Sequence, residues 1–484
     1  MGLKCIFSLA ILPTEKCNYN QCPWGKAGVL NLDLKKKGLI NAIKAFNPLR
    51  VKVGGSLQDQ VVYGVGGVKN CPNFMKNEDS LFGFSQGCLP MTRWDEHNKF
   101  FNQTGVKVTF GLNALIGRNW DFMKYTISRG YKVNSYEFGN QLSGAGMGAS
   151  VEAEQYGKDI VVLKNLVEEL HPDPKTQPKV LGPGGYYDEK WFNSFLKVSG
   201  HDVVDGVTHH IYNLGPGIQI CLNSVDDPNM ITKIQDPSYL NQVAQTYKGV
   251  LNIVNRFKSQ SGAWVSEYGR ALHGGAKDLS PTFVDGYWYL DQLGMASTYN
   301  HKVFCRQTLI DGNYALLNTT TSIPNLDYYC ALLWHLLLGS TVLAVTQLSN
   351  PNLSVYAHCV KKKTGISIIF INMSKDSSFN VTLSNYEHQS HNLRSTDVAK
   401  PNFEFRGSKD REEYHLAALA GNIHGQIVLL NDVPMVPTET LDIPVMEPKL
   451  VNASTPISIS AHSIVYLVGK NNTGGPCTKE SRPI

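Results

Sequence analysis

The chain has 484 residues, of which 42% are hydrophobic and 18% charged, with 45 Lys and Arg set against 40 Asp and Glu. That length buries one large core and a smaller second one, and a net charge of +5 is too mild to point to a nucleic-acid or sulfated-polyanion partner. No stretch approaches the roughly 20 apolar residues of a membrane span, since even 331–345 is broken by His335, Gly339, Ser340 and Thr341, so a soluble protein is expected.

Residues 1–12 carry one Lys and then an apolar run from Cys5. They read either as a short leader without a small-residue cleavage site or as a core strand over 6–12. Short apolar runs follow at 49–53, 106–112, 133–138, 179–181, 203–209, 263–267 and 303–307. Amphipathic stretches separate them. In 151–170, Tyr156, Ile160, Leu163, Val167 and Leu170 recur at spacings of three and four, the stripe of a half-buried helix. Alternation of this kind predicts parallel βα units. With 6–12 counted there are eight strands, and the α/β fold expected over 1–342 is a (β/α)8 TIM barrel, unless 1–12 adds a strand to the second domain instead.

Beyond about 345 the helical period disappears. The runs 353–360, 366–371, 379–383, 426–430 and 463–468 are short and β-branched or alternating, which predicts an antiparallel β-sandwich domain over 343–484. The polar segment 385–422 reads as a long surface loop. Lys35 to Lys37 and Lys361 to Lys363 border apolar-periodic segments and read as solvated faces or turns.

Ten cysteines show no metal-binding spacing. A local bridge within Cys17 and Cys22, or within Cys71 and Cys88, fits their separations. Asn-x-Ser/Thr acceptors stand at Asn102, Asn318, Asn352, Asn372, Asn380, Asn452 and Asn471, a density that points to a secreted glycoprotein.

Function in a TIM barrel gathers at the C-terminal ends of the strands. Here those ends run into Asp59, Asn113, Asn140-Gln141, His209-His210-Ile211-Tyr212, Glu267, and Gln307 followed by Asp311-Gly312-Asn313-Tyr314. Together they would ring a mouth with amides, imidazoles, phenols and carboxylates. With no phosphate loop and no metal motif, neither a cofactor nor a metal is expected. Such a lining suits a hydroxyl-rich small molecule, a sugar.

The stretch Ser135-Tyr136-Glu137-Phe138-Gly139-Asn140-Gln141-Leu142 resembles the Trp-Glu-Leu-Gly-Asn-Glu stretch of the heparanase-like hydrolases, glycoside hydrolase family 79. Trp264-Val265-Ser266-Glu267 resembles the nucleophile strand of that family. Phe110 to Leu115, Thr208 to Tyr212, and Arg306-Gln307 with Gly312-Asn313-Tyr314 match in the same order. The resemblance covers nearly the whole chain and is strongest to the plant members, which include flavone-glucuronide hydrolases, although 115–120 looks shorter than in those plant proteins.

The resemblance implies retaining hydrolysis of β-D-glucuronides, with one carboxylate as nucleophile and a second as acid/base. The nucleophile position is Glu267 and the acid/base position is Gln141. An amide neither donates nor abstracts the proton, so turnover should be severely impaired while binding survives. Gln141 is then either an engineered replacement or the mark of a natural, non-catalytic sugar-binding homologue. Glu137 lies roughly 13 Å back along the strand and reads as a buried structural carboxylate.

By the same resemblance Tyr212 orients Glu267, His210 lines the wall beside it, and Asn140 reaches the sugar 2-hydroxyl. Asp59 and Gln307 bind further hydroxyls, while the Gly312 N–H and the Tyr314 hydroxyl receive the glucuronide carboxylate. His209 and the aromatics Trp94, Trp120, Trp191 and Trp288 read as core. An aryl aglycone and exo-action are expected ahead of endo-action on a polysaccharide, and the apoplast or vacuole is the expected destination.

Overall fold

In the computed structural model the residues described are 4–10, 27–68, 70–77, 79–143, 149–214, 229–269, 279, 282–346, 350–361, 363–383, 409–469 and 477. Cys17, Cys22 and Asn471 lie outside them. The apolar runs pair in parallel as β1 (Lys4–Ala10), β2 (Arg50–Gly54), β3 (Lys107–Leu112), β4 (Ser135–Phe138), β5 (Lys179–Tyr186), β6 (Gly206–Tyr212), β7 (Ala263–Gly269) and β8 (His301–Arg306). Each strand neighbours the next, and β1 closes on β8, making the eight-stranded barrel. Residues 4–10 therefore belong to the barrel and not to the second sheet.

Helices follow the strands in turn: α1 (Lys37–Phe46), α2 (Met91–Thr104), α3 (Asn119–Ser128), α4 (Ala153–Leu170), α5 (Glu189–Ser199), α6 (Ala244–Phe257), α7 (Phe283–Thr298) and α8 (Leu326–Leu337). In α4 the stripe predicted from sequence is the face turned inward, with Tyr156, Ile160, Leu163 and Val167 buried. Trp94 on α2 is fully buried, stands edge-on to Phe110 at 5.0 Å, and donates its indole N–H to Thr126 Oγ1. A large ring with its one polar atom satisfied is a core residue; Trp191 and Trp288 are buried in the same way.

The antiparallel sheet begins directly after α8. It comprises β9 (Leu338–Leu343), β10 (Leu353–Val360), β11 (Ile366–Asn372), β12 (Asp410–Ala418), β13 (Val428–Leu430), β14 (Val433–Pro434), β15 (Lys449–Asn452) and β16 (Ser463–Gly469). The order is β9-β10-β11-β16-β12-β13-β14, with β15 also on β12. Side chains alternate between two cores, as the strand period requires. Ile369, Ile371, Ile464 and Tyr466 join the barrel core, whereas Ile368, Phe370, Val465 and Leu467 meet the ribbon Phe379–Val381 and Ile457–Ile459. Gly294 on α7 makes the first contact close: a Cβ there would lie 2.2 Å from the Tyr356 ring. That ring instead reaches over the helix and donates its hydroxyl to Asp291 at 2.8 Å.

Two expectations need correction. The predicted loop 385–422 contains β12, which pairs with β16 inside the sheet. Its polarity is misleading because Arg411 and Glu413 are both buried and paired at 2.7 Å, the guanidinium also donating to the carbonyls of Asn452, Ala453 and Thr455. Asn372 is fully buried and its amide donates to Ser377 O and Ser460 O, so it is no glycan attachment point in the folded chain. Lys35 and Lys37 are exposed as expected, and the half-buried Lys36 between them donates to the carbonyls of Thr319 and Thr320. Cys71 is bonded to Cys88, across the loop that follows β2, and Cys359 is bonded to Cys477.

Candidate active site

The mouth is assembled from the ends of β2, β3, β4, β6, β7 and β8. After β2 the chain turns through Gln58–Gln60. Gln58 lies across Gly111 of β3, where a Cβ would come within 2.1 Å of its amide oxygen. Glycine there lets Gln58 donate to Leu112 O and accept from Gly55 N–H. This seats Asp59, whose two carboxylate oxygens accept the N–H groups of Ala114 and Asn140, each at 2.7 Å. Asp59 thus ties the ends of β3 and β4 together, and burial pushes its carboxyl up to about 7 against those two donors.

β4 leaves the barrel through Gly139, at φ 71, and Gln141 follows in the left-handed region at φ 56, with its N–H on Gly184 O at 2.7 Å. A non-glycine residue in that region costs roughly 1–2 kcal/mol and needs such a surrounding. The amide nitrogen and oxygen of Asn140 are buried without a partner. Gln141, 4% exposed, directs its Nε2 to His210 Nδ1 at 3.1 Å.

Strands β6 and β7 lie side by side with His210 opposite Glu267. The Tyr212 hydroxyl donates to Glu267 Oε1 at 2.6 Å, and His210 Nδ1 stands 3.9 Å from the same oxygen. Because Gln141 and Glu267 approach one nitrogen, their polar ends lie no more than about 7 Å apart. Burial, with Lys52 and His209 nearby, holds His210 well below the usual histidine range. An amide nitrogen facing Nδ1 suits a neutral ring that accepts there.

Burial raises the Glu267 carboxyl, opposed by Lys52, by the Tyr212 hydroxyl and by a hydrogen bond from Gln307. Lys52 of β2 is ion-paired to Glu137 of β4 at 2.5 Å, both essentially unexposed. Burial works against the ammonium charge, but Glu137 and Glu267 outweigh it and raise its pKa. Sequence reading placed Glu137 correctly in the interior and missed Lys52; the available signal was a lysine at the inward register of an apolar strand beside a strand bearing one glutamate. Replacing Tyr212 by Phe removes one hydrogen bond to a charge, worth about 1.5–3 kcal/mol. The Glu267 pKa is expected to rise by about one to two units, readable by NMR titration of the labelled carboxyl carbon.

The loop after β8 completes the ring. Gln307 donates to Glu267, and its amide oxygen accepts the Tyr314 hydroxyl at 3.1 Å. Contacts therefore run unbroken from Gln141 through His210, Glu267 and Gln307 to Tyr314. Asp59 and Asn140 form a second arm, joined through the backbone. His209 is apart from the mouth, fully buried with its Nε2 on His301 Nε2 at 2.9 Å. Trp120 is half-buried, beneath Lys124. Among the described residues no group of three His, Cys, Asp or Glu could hold a metal ion, and no helix is long and apolar enough to cross a membrane.

A (β/α)8 barrel with an attached antiparallel sheet is a fold shared with solved structures. The crystal structure of a 4-O-α-L-rhamnosyl-β-D-glucuronidase from Fusarium oxysporum matches over 96% of both chains, with a TM-score of 0.63 at 12% sequence identity. Sequence comparison makes the class specific. Residues 5–294 match the N-terminal domain of glycosyl hydrolase family 79, and the chain belongs to that family. Heparanase-like protein 2 of Arabidopsis thaliana is 46% identical over 94% of this chain and 88% of its own length. Baicalin-β-D-glucuronidase of Scutellaria baicalensis is 35% identical over 95% of this chain and 88% of its own length.

Proposed function

We propose that this chain binds β-D-glucuronides at the barrel mouth, in a site laid out for retaining hydrolysis with Glu267 as nucleophile and Gln141 in the acid/base position. The observation that carries the reading is the His210 bridge. It bounds the Gln141–Glu267 separation at about 7 Å, which admits the roughly 5 to 5.5 Å of a retaining pair. Tyr212 and Lys52 favour the ionised Glu267 that attack requires, and Tyr212 fixes its direction.

Asn140 suits the sugar 2-hydroxyl, because both of its amide atoms are buried and unpartnered. Asp59 and Gln307 offer acceptors for further hydroxyls, and the Gly312 N–H with the Tyr314 hydroxyl would receive the C5 carboxylate. With an amide at position 141 the proton is neither given nor taken, so the chain holds its ligand and turns it over poorly. His210 does not replace the missing acid, since its depressed pKa keeps it neutral.

The name of the Scutellaria relative favours glucuronides with an aryl aglycone, and so does a net charge of only +5, too mild for a polyanion partner. Exo-action is the reading adopted. The two disulfides and the exposed acceptors Asn102, Asn318, Asn380 and Asn452 favour an oxidising destination, apoplast or vacuole.

Calorimetric titration with phenyl β-D-glucuronide and phenyl β-D-glucoside tests the substrate class. The acid is expected to bind at least about tenfold tighter, about 1.4 kcal/mol. Equal affinity would remove the carboxylate from the proposal.

A further inference from the structure

Asp311 lies in the loop between Gln307 and Tyr314, 7% exposed, at φ 116. A non-glycine residue held at that φ is strained, and such strain persists where the surroundings fix the residue in place. Here the neighbouring side chain of Thr308 donates to the Asp311 carbonyl, and Arg306 anchors the far end of the loop through Tyr314 O at 2.9 Å. The Asp311 carboxyl rests against the Gly312 N–H, and the Tyr314 hydroxyl is engaged by Gln307. Both donors assigned to the sugar carboxylate therefore have partners within the protein, one of them a carboxyl group.

We propose that Asp311 is a specificity-determining residue of the sugar site: it meets the C5 carboxylate of a uronic acid as a hydrogen-bond donor, through its own proton, so that binding of a uronate requires neutral Asp311. This rests on the reading that the Gly312 N–H and the Tyr314 hydroxyl receive that carboxylate. Two ionised carboxylates cannot share one N–H, whereas a carboxylic acid beside a carboxylate supplies a charge-assisted O–H···O bond. A buried carboxyl kept neutral so that it can donate is an established device of enzyme sites.

The surroundings supply what this requires. Burial pushes the Asp311 carboxyl up to about 8, with the Gly312 N–H as its only opposing influence. The nearest cation along the chain, Arg306, is spent on Asp285, Asp327 and the Tyr314 carbonyl. Tyr314 faces Gln307 with its hydroxyl, and Glu267 lies beyond that amide. Among the described residues no ion pair includes Asp311. A neutral glycoside, with a hydroxymethyl group in place of the carboxylate, makes no such demand on the Asp311 proton.

The test is calorimetric titration of the unmodified chain and of Asp311→Asn with phenyl β-D-glucuronide and phenyl β-D-glucoside at pH 6 and pH 9.5. For the unmodified chain the glucuronide Kd should rise by more than about tenfold between the two pH values, while the glucoside Kd changes less than about twofold. In Asp311→Asn the glucuronide Kd should be flat, since the amide donates at either pH. Titration of the unmodified chain at pH 8.5 in buffers of different ionisation enthalpy should show proton uptake with the glucuronide and none with the glucoside, a measurement that needs no variant. A glucuronide preference at pH 6 without proton uptake, or with the same pH profile in Asp311→Asn, overturns the role of Asp311 and leaves the glucuronide reading standing. Equal binding of the two glycosides at pH 6 sinks that reading, and this inference with it.

Discussion

Replacing Gln141 by Glu is expected to raise hydrolysis of an aryl β-D-glucuronide by about 10²- to 10⁴-fold over the chain as it stands, the usual worth of a positioned general acid–base. The expectation depends on how little else must change. Glutamate has the shape of glutamine, and the backbone that carries the residue is already held in the left-handed region by its N–H on Gly184 O. The new carboxyl would face His210 Nδ1 where the amide nitrogen now stands at 3.1 Å. His210 would turn from accepting to donating at Nδ1, a change of tautomer and not of position.

Burial at 4% exposure, with Glu267 across the mouth, would hold the new carboxyl above the ordinary glutamate range and keep it protonated for the first step. Release of p-nitrophenol from its glucuronide reads the gain, and adding Glu267→Gln to Gln141→Glu should abolish it. If the Gln141→Glu chain binds the glucuronide and still does not turn it over, the site serves binding alone and the hydrolytic layout is wrong.

The barrel was legible because its strands are buried on both faces and read as apolar runs. All eight predicted strands overlap the observed ones, with edges displaced by a few residues where ends such as Ile211-Tyr212 and Tyr268-Gly269 continue the ladder. In the second sheet, β10 and β11 were plain for the same reason. β12 was hidden by Arg411 and Glu413, whose charges are satisfied inside the fold by each other and by carbonyls of the neighbouring strand end. Alternation reports polarity, and burial follows polarity only when charges have no partner within reach.

The mouth shows the same division. Strand order and strand-end chemistry were enough to gather Gln141, His210, Tyr212, Glu267, Gln307 and Tyr314 into one contact chain. They could not tell which polar atoms are already spent. Asp59 turned out to bind two backbone N–H groups, Asn140 to keep both amide atoms unpartnered, and Asp311 to rest on the Gly312 N–H. Those are facts of three-dimensional bookkeeping that no spacing encodes, and Lys52 is another, since its charge matters only because β2 and β4 both face the interior beneath Glu267.

Replacing Arg306 by Met is expected to destabilise the chain by about 3–5 kcal/mol, the cost of leaving buried charges unpaired. Arg306 is fully buried at the end of β8. Its guanidinium pairs with Asp285 of α7 at 2.7 Å and with Asp327 of α8, both fully buried, and its Cζ lies 4.8 Å from the Tyr289 ring centroid. Removing the cation strands two carboxylates in the interior at once, where each must either ionise unpaired or take up a proton. The loss should appear as a lower urea midpoint.

A second consequence separates this residue from an ordinary core position. Because Arg306 also donates to Tyr314 O, the loop that holds Gln307, Asp311 and Gly312 loses its anchor, and glucuronide affinity should fall even at temperatures where the variant remains folded. The triple change of Arg306 to Met with Asp285 and Asp327 to Asn removes the stranded charges and should recover much of the stability. It does not restore the bond to Tyr314, so binding should stay weak. Recovery of both together would mean that the loop is placed by its own packing and that the guanidinium serves the core alone.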